Sequence, residues 1–197
     1  MHADNIPINR SDDRRGRASL PSPQRLIHRF ASKCAHVLAN LLPGGAFGGS
    51  GVDAMNRRDV LLAILAAADG RPFTPVQLQK AAFLVAKNLE RIFDPSSRYA
   101  FAPYDYGPFD SNVYGEAETL ARLGLVSISA EPGRYRQYVA TDTGVKLGRQ
   151  LLDRLQADDR RYVKDVASWV LRLSFGQLVK SIYTAYPDMR ANSIFRY

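Results

Sequence analysis

Histidine and cysteine are absent from this chain beyond residue 36. The 197 residues hold three histidines and one cysteine, and His2, His28, Cys34 and His36 all precede residue 55. A single cysteine excludes an intrachain disulfide, which suits a reducing, cytoplasmic setting. Past residue 55, zinc sites and Cys–His or Ser–His nucleophiles lack their usual residue types. No metal, no cofactor and no enzymatic role are therefore expected. No apolar run approaches the ~18–20 residues that cross a bilayer, so no membrane partner is expected. The stretch LPGGAFGGSG lacks the Lys-Ser/Thr ending of a phosphate-binding loop. There is no internal repeat.

What remains is an ordinary globular composition: 46% hydrophobic and 23% charged residues. The formal charge is +8, a sign that favours acidic partners. The excess is spread thinly, with net +3 in residues 1–54 and net +5 in residues 55–197, so it is a bias and not a binding signature.

Residues 1–54 read as a disordered basic extension. RSDDRRGRASLPSPQR is polar, Arg-rich and interrupted by proline. ASKCAHVLANLL (31–42) suggests one marginal helix, and five glycines within residues 44–51 form a linker. The apolar patch lies too far from the start, and is too short, for a signal peptide. A second reading takes Met55 as the true start, with the extension foreign to the native protein.

From Met55 onward the spacing predicts one domain. RRDVLLAILAAADG (57–70) is apolar on nearly every face, a buried helix stopped at Gly70. Thr74-Pro75-Val76-Gln77 is a capping box with proline at the first helical position; the helix carries Leu78, Ala81, Ala82, Val85, Leu89 and Ile92 and ends before Asp94-Pro95. FAPYDYGPFD (101–110) predicts a short edge strand turned by Gly107-Pro108, with Phe101 and Phe109 buried. Asp110 or Ser111 caps a third helix whose apolar side is Val113, Ala117, Leu120 and Leu123, with Gly124 as its end.

LVSISA and YRQYVA then flank Glu131-Pro132-Gly133-Arg134, a hairpin with Arg134 and Arg136 at or near its tip. Thr141 caps a helix bearing Val145, Leu147, Leu151, Leu152 and Leu155, and another runs from about Arg160 to Leu173. Asp158-Asp159-Arg160-Arg161 puts acids first, as the helix dipole prefers. Ser174 to Gln177 is a second capping box, opening a helix with Phe175, Leu178, Val179, Ile182, Tyr183 and Tyr186 at helical spacing and stopped by Pro187, with Tyr183 and Tyr186 read as core. Trp169 is likewise read as core.

The expected fold class is α+β, mainly α: a winged-helix-like core with a small antiparallel sheet and additional C-terminal helices. Three helices and a basic hairpin resemble a DNA reader whose third helix enters the major groove. Two features oppose that. Residues 94–109 intervene where a helix-turn-helix uses about 3–4, and Glu116 and Glu118 would face phosphates with only Arg122 to offset them. Asp105 and Asp110 could form an acid/base pair, but Asp110 reads better as a helix cap.

LQKAAFLVAKNL (78–89), FAPYDYGPFDSNVYGEAETLARLGLV (101–126), YVATDTGVKLGRQL (138–151) and IYTAYPDMRANS (182–193) together resemble the bacterial YwgA-like family. More distantly they resemble Panacea-type antitoxin domains with "LQK…F" and "YGP…VY" signatures. The resemblance spans residues 57 to 195 and leaves the N-terminal extension unmatched. It implies a winged-helix-like fold without known catalysis, in toxin–antitoxin and phage-defence settings. The matching positions are Gln79, Lys80, Tyr106, Gly107, Pro108, Phe109, Val113 and Tyr114.

The sequence thus points to a module that acts by binding a protein partner such as a toxin, with a DNA-binding transcriptional regulator as the alternative. The candidate contact residues are Gln79, Lys80, Tyr104, Tyr106, Asn112, Tyr114, Arg122, Arg134 and Arg136.

Overall fold

The computed structural model describes residues 54–130 and 135–196. The expected extension, apart from Ala54, and the turn holding Arg134 lie outside the described residues. Helix α1 (Arg57–Ala66) opens on Asn56, whose side chain accepts from the Asp59 N–H, a cap the sequence reading did not assign. Residues 60–66 are all buried, and α3 (Asn112–Arg122), α4 (Asp142–Arg154) and α5 (Ala157–Arg172) pack about this helix. It stops at Ala66 rather than Gly70, because the chain turns through left-handed backbone at Asp69 and Gly70.

Helix α2 (Pro75–Asn88) has the expected Thr74/Gln77 capping box. Its last expected turn is instead a 3-10 segment, Glu90–Ile92, and the Asn88 side chain donates to the Leu84 carbonyl and the Tyr186 hydroxyl. Between α1 and α2, Phe73 exchanges both backbone hydrogen bonds with Tyr138 at 3.0 Å, joining the edge of the sheet formed by β3 (Val126–Ser129) and β4 (Gln137–Ala140). Val126 faces Ala140 and Ile128 faces Tyr138 across that pair.

The stretch that opens at Phe101 is a hairpin, not one strand. β1 (Ala102–Tyr104) pairs antiparallel with β2 (Gly107–Phe109). Gly107-Pro108 therefore begins the return strand, and Asp105-Tyr106 makes the turn. Gly107 has φ +98°, and a Cβ there would meet the Tyr183 ring at 3.2 Å, so glycine is required. Phe101 and Phe109 are half-buried rather than buried.

Gly144 and Gly148 let α4 press onto its neighbours. A Cβ on Gly148 would sit 2.9 Å from the Leu62 carbonyl oxygen and against the Ala66 methyl, and one on Gly144 would overlap the Leu125 carbonyl. Helix α6 (Phe175–Ala185) carries the second capping box, Ser174 with Gln177. α5 starts at Ala157, a turn earlier than expected, with Asp158 and Asp159 in its first turn. Leu123 and Leu147, expected in the apolar faces, are 59% and 39% exposed: Leu123 is the cap residue beyond α3, and the buried face of α4 is made by Gly144, Gly148, Leu151 and Leu152 instead. Among the described residues the fold is mainly helical with two small two-stranded antiparallel sheets. Among the described residues no helix is long and apolar enough to cross a membrane.

Candidate recognition surface

The β1–β2 hairpin is seated by polar groups from α2. Gln79 is 2% exposed; its Nε2 donates to the Asp110 carbonyl at 2.9 Å while its Oε1 accepts from the Asp110 N–H at 3.2 Å. Lys80 is 3% exposed, and its Nζ donates to the Pro108 carbonyl at 3.0 Å. Desolvation drives the Lys80 amine from its ordinary value down to about 7. These two residues were expected on a polar exterior. They lie inside, because the hairpin folds over them.

Asp110 is committed to structure. One carboxylate oxygen accepts from the Ala100 N–H and the other from the Asn112 N–H and side-chain amide. Its carboxylate, not the Ser111 hydroxyl, caps α3, since Ser111 makes no side-chain cap bond. Tyr114 is half-buried: its hydroxyl donates to the Pro75 carbonyl at 3.2 Å, and burial pushes it up to about 12.

On the outer side the hairpin presents rings. Tyr104 is 53% and Tyr106 38% exposed. Tyr106 meets Phe175 edge-on at 5.1 Å, and Phe175 meets Phe195 at 5.7 Å. A second chain of rings runs Tyr104, Phe109, Tyr114, Tyr138, with steps of 5.0, 5.9 and 6.0 Å. The C-terminal segment straps the turn: Ile194 N–H donates to the Asp105 carbonyl at 3.0 Å, and the Asn192 amide to the Pro103 carbonyl at 3.1 Å. Tyr183 OH donates to Ser193 Oγ at 2.6 Å. Ile194 and Phe175 are 58% and 45% exposed. Phe175, expected at helical spacing with Leu178, Val179 and Ile182, stands exposed at the first position of α6 while those three are buried.

Arg122 and Arg136 belong to a different place, the outer side of α3. Arg122 donates to Thr119 Oγ1 at 2.7 Å, and Arg136 reaches Glu118 at 3.5 Å with both side chains exposed. Glu116 does not face outward. It is gripped by Arg57 and Arg58 of α1 at 2.9 and 2.7 Å; desolvation pushes its pKa up, but the two guanidinium hydrogen bonds and charges outweigh this and hold it below its ordinary value. The expected repulsion of phosphate by Glu116 is thus removed, and only Glu118 remains. Asn112 is exposed at the start of the same helix.

Sequence reasoning missed two features. Ile194 and Phe195 follow the last helix and carry no periodic signal. Phe83, Phe93, Tyr99 and Phe101 line a groove of about 360 Å³, with Lys87, Glu90 and Arg98 among its walls; Phe83 and Phe101 meet edge-on at 5.4 Å. Only Phe101 had been singled out, because these rings come from three separate segments.

No known family profile and no curated protein matches the chain.

Proposed function

We propose that this chain is a winged-helix-like recognition module of the antitoxin-like or defence-associated kind, which acts by docking a protein partner on the hairpin surface. The observation that carries this reading is the set of exposed apolar side chains Tyr104, Tyr106, Phe175 and Ile194, gathered from three distant segments about one turn. Tyrosine and phenylalanine supply large contact area at low entropic cost, with a polar tip on each tyrosine, which is the composition of interface centres. The turn beneath them is fixed from below by Lys80 and Gln79 and from the side by residues 192–194, so little ordering is left to oppose binding. The order of sequence blocks resembling the YwgA-like family supports the same reading.

The succession of α1, the Phe73 bridge, α2, α3, β3 and β4 resembles a winged helix, although the β1–β2 hairpin intervenes between α2 and α3, and it supports duplex DNA as a second reading. Against it, the outer side of α3 offers Glu118 beside Arg122, and Arg136 leans on Glu118.

The test is capture from the native host with the wild type, with Tyr104→Ser/Tyr106→Ser and with Arg122→Ala/Arg136→Ala. Loss of the captured protein only with the tyrosine variant supports the proposal. Retention on DNA at low salt that falls steeply with salt, and is lost only with the arginine variant, replaces it with the second reading.

A further inference from the structure

Lysine is almost never fully buried without a carboxylate partner. Lys80 is 3% exposed, and its ammonium nitrogen has the Pro108 carbonyl, at 3.0 Å, as its hydrogen-bond partner. The ionisable groups on the elements about it are Tyr104, Asp105, Tyr106 and the adjoining Asp110 of the hairpin, Lys180 and Tyr183 of α6, and Tyr114, Glu116, Glu118 and Arg122 of α3. None hydrogen-bonds it. Asp110 is taken by Ala100 and Asn112, Tyr183 by Ser193, and Tyr114 by Pro75. Space is tight as well: the point where a Gly107 Cβ would stand is 3.6 Å from Lys80 Nζ and 3.2 Å from the Tyr183 ring.

We propose that Lys80 is a proton-operated latch of the β1–β2 hairpin: the neutral amine lets the hairpin close on α2 and α6, and the ammonium form favours its opening. Closure strips the side chain of water and supplies one backbone acceptor in return, which a neutral amine tolerates and an ammonium does not. Opening returns the nitrogen to solvent, where its ordinary value is 10.5, against about 7 when closed. Between those limits the open form binds more protons than the closed form. Closure therefore strengthens as pH rises from about 7 towards 10, by about tenfold per pH unit, and is flat below about 7. The latch does not depend on what the hairpin contacts.

The experiment is amide hydrogen exchange on the full chain between pH 6 and 9, corrected for intrinsic rates, comparing residues 101–110 with residues 60–66. The expected result is weaker protection of the hairpin than of α1, rising about tenfold per pH unit above neutrality in the wild type and losing that rise in Lys80→Met. A rise that persists in Lys80→Met overturns the latch, as does hairpin protection equal to that of α1, which would mean opening only on global unfolding. Should Lys80→Met not fold, the wild-type Lys80 Cε resonance decides. A midpoint near 7 supports the latch, and one within a unit of the ordinary value overturns it.

Discussion

The Gln79 side chain and the Asp110 backbone are joined by a reciprocal pair of hydrogen bonds: the amide NH2 gives to the carbonyl and the amide oxygen takes from the N–H. Both groups are buried, so no water replaces the side chain if it is lost. Gln79→Leu should cost about 1–3 kcal/mol, because the Asp110 N–H is left unpaired while its carbonyl keeps the Val113 N–H. A fall in the urea midpoint with unchanged slope checks this; a shift under half a kcal/mol would refute it.

Gly148→Ala should destabilise by about 1–3 kcal/mol through overpacking of α4 on α1. Ala66→Gly removes the methyl that a new Cβ would strike. The double variant should therefore lose less than the sum of the singles once the helical glycine cost of about 1 kcal/mol is counted. Additive losses would show that the Leu62 carbonyl, and not the Ala66 methyl, sets the limit.

Half-buried phenols weaken the fold at high pH. Desolvation raises Tyr99, and it raises Tyr114 to about 12. For a group whose folded value is raised, the stabilisation is whole below the unfolded value of about 10 and is lost as pH climbs from there through the folded value. The urea midpoint should fall above pH 10, and Tyr114→Phe should shallow that fall. An unchanged limb would mean that Tyr114 ionises freely in the folded protein.

Glu116 works in the opposite direction. Its folded value lies below the ordinary 4.5, so its contribution is present above about 4.5 and disappears as pH drops through the folded value. Glu116→Gln should cost about 1.5–3 kcal/mol at pH 7, as expected for charge-assisted bonds, and little at pH 3. Equal losses at both pH values would assign the effect to packing.

Tyr104→Ser and Ile194→Ser should each change stability by less than about 0.5 kcal/mol, as surface replacements do. A larger loss in thermal unfolding would mean that these side chains hold the hairpin down.

Much of this architecture was legible in the chain. The capping boxes at Thr74 and Ser174 work because their signals lie within four residues of the groups they satisfy. The β3–β4 pair was legible from alternation and a Pro-Gly turn. The β1–β2 hairpin was misread because Gly107-Pro108 has the composition of a turn, while the positive φ of Gly107 serves the residue after the turn, where the Tyr183 ring leaves no room. Lys80 and Gln79 were misplaced for a related reason: polarity suggests solvent, and only the hairpin's return over α2 buries them. The surface itself was half legible. Tyr104 and Tyr106 were found from local aromatic density, whereas Phe175, Ile194 and Phe195 reach it through tertiary folding that no local pattern encodes.

The strap formed by Asn192, Ser193 and Ile194 has a practical consequence. A bulky group attached at Phe195 or Arg196 would stand one or two residues from the Ile194–Asp105 bond and screen that face from visitors. Immobilising this polypeptide through residues 194–196 would therefore hide the region under study.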